Sequence, residues 1–205
     1  MLSPVRERRS LPVLGQPQPE RADAARNRQK IVEVAAGMIA ERGADALSLD
    51  EVARVAGVGV GTVYRRFGDR SGLIYALIDE RERRFQAAFF GGPPPLGPGA
   101  PAVERITAFL CALVDRIAAQ QELFLLLEKG PKGGKFSGPY KVHHIHLATL
   151  LAQALPAARD APFLADALLA PVNACLIAYQ REERGMTVEE IKSGLVALAM
   201  AVTRG

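Results

Sequence analysis

Two groups of side chains in this 205-residue sequence carry most of its polar chemistry. The first is Thr62, Tyr64, Arg65, Arg66 and Arg70. Hydroxyl, phenol and guanidinium groups this close together suit phosphate oxygens and base edges, where an Arg pairs bidentately with guanine. The second group is His143 and His146, one helical turn apart, with Asn173 as the polar exception in a later apolar run. Two imidazoles at that spacing can share a metal, line a pocket or sit satisfied in a core. His144 falls aside and no carboxylate lies one turn away on the same helix, so the spacing favours a pocket or a core over a metal. No nucleophile, base and orienting group stand at a readable spacing, so no enzyme and no cofactor are expected.

The elements that position the first group are two short helices joined by a tight glycine turn. Ser48 is a natural N-cap, and Glu51 three residues on completes a capping box. Leu49, Val52, Ala53 and Ala56 recur at helical spacing and give one apolar face. Gly57 follows where a helix end wants a residue that tolerates positive φ. Gly59 and Gly61 flank the start of the second helix, whose one inward residue is Val63. The outward residues are Thr62, Tyr64, Arg65 and Arg66. Gly57-Val58-Gly59-Val60-Gly61 has the look of a dinucleotide loop, but a helix precedes it instead of a strand. The pattern is that of a helix-turn-helix, whose second helix enters the DNA major groove.

Upstream, residues 21–42 read as a first helix with Ile31, Val34, Ala35, Met38 and Ile39 inward and Asn27, Arg28 and Lys30 near its start. Gly43 ends it, and Phe67 is expected to plug the base of the three-helix core. Residues 1–20 carry prolines and arginines without apolar periodicity and are expected to be a disordered arm.

Residues 27–75 resemble the N-terminal domain of TetR-family transcriptional regulators. The resemblance rests on Arg28, Ile31 and Gly43, then Ser48-Leu49, Val52-Ala53, Ala56-Gly57-Val58, Thr62-Val63-Tyr64, Phe67, Arg70 and Leu73. It implies a regulator that binds a near-palindromic double-stranded operator as a homodimer, most simply a repressor released by a small ligand. Arg65 and Thr62 would then read bases or adjacent phosphates, with Val60 and Gly61 close to base edges. Tyr64, Ser48, Asn27, Arg28, Arg66 and Arg70 would mainly hold phosphates. Arg66 stands where the family often has His.

Beyond the helix-turn-helix, which is taken as residues 21–70, the chain from 71 to 205 reads as a helical ligand-binding and dimerisation domain. Asp69 is placed to cap a helix over about 70–90, with Leu73, Ile74, Leu77, Ile78 and Phe85 inward. Its Glu80–Arg84 run reads as a solvated face of intrahelical pairs. Residues 91–101 break the helix. Another follows to about 120, with Phe109, Leu110, Leu113, Val114 and Ile117 apolar. A short helix, a loop at 131–139 and a helix at 139–155 come next. The loop holds Gly134-Lys135 but lacks the other residues of a phosphate loop. Residues 161–185 read as one long helix kinked at Pro171. Thr187 and Glu190 open the last helix with a second capping box. No strand pattern occurs, so the fold is expected to be all-α.

The last two helices have wide apolar faces and would pair with those of a second chain, with Leu195 or Leu198 at the contact. Pocket candidates are Phe109, Leu113, Phe124, Leu127, His143, His146, Leu147 and Asn173. They are mostly apolar and favour an apolar or aromatic effector. A net charge of +4 is compatible with nucleic acid. The basic excess lies at Arg54, Arg65, Arg66 and Arg70, opposed by Asp69, with a second cluster from Arg6 to Arg9. Cys111 and Cys175 read as free thiols in apolar helices. No segment reaches the roughly 18 apolar residues that cross a bilayer, so a cytoplasmic protein without a membrane partner is expected. The competing readings are a histidine-based metal enzyme and a ligand-free architectural DNA-binding protein.

Overall fold

The computed structural model describes residues 19–129, 138–156 and 160–204. Among these there are ten α-helices and no strand, so the chain is all-α. They fall into two compact units, one ending at Leu77 and the other beginning at Ile78. Residues 1–18 of the expected arm and the Gly134-Lys135 loop lie outside the described residues, while Pro19 and Glu20, expected in the arm, belong to the first helix.

The first unit holds α1 (Pro19–Arg42), a single 3-10 turn at Ala44–Ala46, α2 (Leu49–Ala56), α3 (Val60–Phe67) and the first turns of α4 (Arg70–Gly91). Its core is Ile31, Val32, Ala35 and Met38 from α1, the four expected residues of α2, Val63, and Leu73, Ile74 and Leu77 from α4. Val32 is buried, whereas Val34 and Ile39 are half-buried, so the inward stripe of α1 is rotated toward 31 and 32. Phe67 is also only half-buried and does not plug the core.

The second unit contains the rest of α4, α5 (Ala102–Ala118), α6 (Gln121–Lys129), α7 (Gly138–Ala154), α8 (Ala161–Leu169), α9 (Ala174–Glu182) and α10 (Val188–Arg204). α5 is central, packing on α7 and α10, while α7 packs on α8 and α6 on α9. The five expected apolar residues of α5 are all buried, together with Ile106. Phe89, Leu147, Leu150, Leu151, Leu168 and Ile177 complete the interior.

Two expectations fail in this unit. Residues 161–185 are two helices, not one kinked helix. Asn173 ends the break between them as the N-cap of α9, its Oδ1 accepting from the Leu176 N–H at 2.8 Å and its Nδ2 donating to the Ala170 carbonyl at 3.0 Å. An amide beside a proline competes for backbone groups and starts a new helix instead of riding inside an old one. Next, Glu82 is not part of a solvated face, since it is only 5% exposed. Of the two leucines offered for a partner contact, Leu195 is buried in its own chain's core, while Leu198 is 45% exposed. No single helix among the described residues is long and apolar enough to cross a membrane.

Candidate nucleic-acid interface and buried polar cluster

α2 and α3 owe their angle to the turn between them. Gly57 adopts φ 65° and ψ 38°, the left-handed conformation that costs other residues a Cβ clash. The Val58 N–H reaches the Ala53 carbonyl at 3.0 Å and the Gly57 N–H reaches Arg54 at 3.2 Å. That pair of bonds is a Schellman ending, which stops α2 and aims the chain into α3. α3 is anchored by Val63 alone, fully buried, and burial of one such side chain stabilises by about 1.5–3 kcal/mol. At the far end Gly72 lies so close to the Phe67 carbonyl oxygen that a Cβ would collide with it. Asp69 caps α4 there, accepting from the Gly72 N–H at 2.8 Å.

With Val63 inward, Val60, Gly61, Tyr64, Arg65 and Arg66 are exposed and Thr62 is half-buried. A Cβ at Gly61 would meet nothing within 4 Å, so the start of the helix presents bare backbone. Asp50 stands beside Tyr64, and its charge raises the phenol pKa, with smaller contributions from desolvation and a hydrogen bond. The phenol therefore keeps its proton and can donate to a phosphate. Arg65 is exposed, whereas Arg66 and Arg70 also tie the unit together. Arg66 Nη1 donates to the Ala24 carbonyl at 2.5 Å. Arg70 donates to the Asp45 carbonyl at 2.7 Å and its carboxylate at 3.2 Å. Asn27 is exposed and Arg28 half-buried on α1.

Ser48 caps α2 through its Oγ, 3.5 Å from the Glu51 N–H. The Glu51 carboxylate lies 3.1 Å from Arg42, so that carboxylate is drawn into an ion pair with α1. Lys30, exposed on α1, also comes to this face. A Cβ at Gly57 would lie 3.7 Å from its Nζ, which puts the ammonium beside the turn.

The second unit contains a different kind of site. Glu82 on α4 accepts from His143 Nε2 on α7 at 2.9 Å, from Gln86 at 2.7 Å, and from Arg116 on α5. Burial would raise the Glu82 pKa, but the His143 hydrogen bond and charge, then Arg116, then Gln86, override it and hold it at about 2. The Arg116 guanidinium lies over the rings of Phe85 and Phe124, at 5.3 and 5.2 Å. Phe109 packs on His143 at 5.7 Å and on His146 at 4.9 Å. Phe109, Leu113, His143, His146 and Leu147 are thus buried near one another, with Phe124 half-buried. The Leu127 side chain lies outside the described residues. Asn173 is engaged in capping.

Sequence reasoning missed Glu82, Arg116, Phe89 and Arg105. The signal existed for Glu82, because 78, 82, 85 and 89 fall on one helical stripe whose other members are apolar. The run of charges around it concealed that spacing.

Residues 31–77 match the family model described as bacterial regulatory proteins of the tetR family. Residues 31–77 are thus a TetR-type N-terminal domain. An HTH-type transcriptional regulator of Staphylococcus aureus (strain USA300) is 43% identical over 58 residues, 28% of this chain. The chain spans about a third, 31%, of the length of the curated relatives it matches. A solved structure assigned to the family, from Rhodococcus sp., superposes with a TM-score of 0.66 at 24% identity, covering 87% of this chain and 99% of that one. A Saccharomonospora viridis protein assigned as a transcriptional regulator, solved in complex with choline, gives 0.64 at 19% identity, covering 86% and 96%. At such identities these two structures speak for the fold.

Proposed function

We propose that this protein is a TetR-family transcriptional regulator that binds a near-palindromic operator as a homodimer and releases it on binding a small effector. The observation that carries the reading is α3 itself. One buried valine anchors it, and its opposite face presents Val60, Gly61, Thr62, Tyr64 and Arg65 to solvent beside a fixed turn. On this reading Arg65 and Thr62 specify sequence. Tyr64, Ser48, Asn27, Arg28 and Lys30 hold phosphates. Arg66 and Arg70 divide their role between phosphates and the fold.

Dimerisation through the last two helices would set two copies of α3 on successive major grooves. The exposed Leu198 and Tyr179 support that face. The choline complex of a fold relative supports a small-molecule effector. α4 supports the coupling, since its first turns belong to one core and Glu82 and Phe89 to the other. Biased by a ligand in the second unit, that helix would change operator affinity by a coupling of about 1–3 kcal/mol.

The test is selection of bound sequences from random DNA, followed by binding measurements on the selected site. A two-fold-related site is expected, and Arg65→Ala should relax preference at one position per half-site at a cost of about 1–3 kcal/mol. Tyr64→Phe should weaken all sites alike. Sequence-independent binding would favour the architectural reading, and sedimentation of the full chain as a monomer would end the dimeric one.

A further inference from the structure

The two buried histidines of α7 have unlike surroundings. His143 donates to Glu82. His146 is 7% exposed, yet its Nε2 is buried and has no hydrogen-bonding partner among the described residues. Arg105, on α5, is close enough to disfavour a charge on His146, and its own Nε is likewise buried and unpartnered. A second Arg105 nitrogen donates to the Phe89 carbonyl at 3.3 Å. Around His146 stand Phe89, Phe109 and Phe90, with ring centroids at 4.4, 4.9 and 5.8 Å. Phe90 is 57% exposed, so this cluster reaches the surface.

Unpaired buried donors are rare in folded proteins and destabilising. An Arg N–H can only donate, and the imidazole Nε2 donates whenever it carries the proton, in one neutral tautomer or in the charged ring. One acceptor oxygen can therefore satisfy both. A water molecule needs several polar partners, and the other walls here are aromatic rings. An aromatic body behind the oxygen fits those walls. The nearby charges are compatible with an anion. Arg105 is positive, and Glu82 beyond His143 is neutralised by Arg116.

Resting on the effector reading above, we infer that Arg105 and His146 bind the carboxylate of an aromatic acid whose ring packs among Phe89, Phe90 and Phe109. The ligand charge then favours protonation of His146, so binding takes up a proton near neutral pH.

The experiment uses the full chain with benzoate, phenylacetate and 1-naphthoate, matched against benzyl alcohol and benzylamine. Calorimetry in two buffers of different ionisation enthalpy should show carboxylate binding with proton uptake, tightening as pH falls from 8 to 6. Arg105→Gln should weaken it at least tenfold, and His146→Phe should abolish the proton uptake. Histidine NMR on the unmodified chain gives the same answer without a variant: the His146 titration should move up when the acid is bound. Absence of carboxylate binding, preference for benzylamine, or binding unchanged in both variants would overturn the inference. Operator affinity is measured separately. Carboxylate binding that leaves it unchanged would uphold the site and overturn the effector reading instead.

Discussion

The two units treat polar groups in opposite ways. Among the described residues, the buried polar or charged side chains are Glu82, His143 and His146, and all three lie in the second unit. The first unit keeps its arginines at the surface, where Arg66 and Arg70 bond backbone carbonyls while remaining exposed. A surface that meets phosphates needs its charges hydrated and within reach. A small-molecule site needs few polar groups, held apart from water, so that each contributes strongly to recognition. The difference in burial is the one the proposed function calls for, an outside reader and an inside sensor.

The largest expected effect breaks the inside arrangement. Glu82→Ala leaves the Arg116 guanidinium, whose side chain is 10% exposed, without its anion, and removing one partner of a buried pair destabilises by about 3–5 kcal/mol. Asp79→Ala, which breaks the exposed pair with Arg83 on the same helix, should change stability by about 0–1 kcal/mol. Denaturant unfolding of the two variants checks the contrast. If Glu82→Ala were no worse than Asp79→Ala, the buried network would hold nothing together.

Acid should separate the units next. His146 is held neutral by burial, then by Arg105 and His143, with its pKa lowered from 6.5 to about 4. A depressed folded pKa means the unfolded chain binds the proton first. Stability is therefore complete above about pH 6.5 and falls as pH drops toward 4. At about 1.36 kcal/mol per pKa unit, the loss is about 3 kcal/mol. Glu82, lowered from 4.5 to about 2, adds a second loss in the window from 4.5 down to 2. His146→Gln should flatten the upper window and leave the lower one. Unfolding curves at pH 7, 5.5 and 4 measure this, and an unchanged slope in the variant would remove His146 as its source.

How far each unit could be read from sequence follows from the range of its interactions. The helix-turn-helix is specified by neighbours: a cap at 48, a glycine at 57, and apolar residues three and four apart. Such signals fall within a ten-residue window, and α2, its turn and Val63 are where the spacing puts them. Glu82, Arg116 and His143 are separated by tens of residues and meet only through the packing of α4, α5 and α7. Spacing alone could not pair them, and intrahelical partners looked sufficient for every charge in 80–84. The break at 170–173 was hidden for another reason. Pro171 is compatible with both a kink and a stop, and Asn173 decided for the stop by capping α9.

The smallest expected effect compares the one motif that both units share. Ser48 with Glu51 and Thr187 with Glu190 have the same capping-box spacing, yet only the second closes. The Thr187 N–H donates to the Glu190 carboxylate at 2.8 Å, and the Glu190 N–H donates back to the Thr187 hydroxyl at 3.1 Å. In the first unit the return carboxylate is taken by Arg42 and the remaining bond is stretched to 3.5 Å. Loss of a cap residue costs about 0.5–2 kcal/mol. Thr187→Ala should therefore fall in the upper part of that range and Ser48→Ala near its lower end. Arg42→Ala should free Glu51 to close its box and so offset part of the ion pair it removes. Ser48→Ala should also weaken operator binding if its hydroxyl meets a phosphate, an effect Thr187→Ala should not share. Unfolding midpoints of the three variants, with operator titrations of the two cap variants, test this. Equal losses at the two caps would mean that the diverted carboxylate does not matter, and that the 3.5 Å bond is as good as the shorter one.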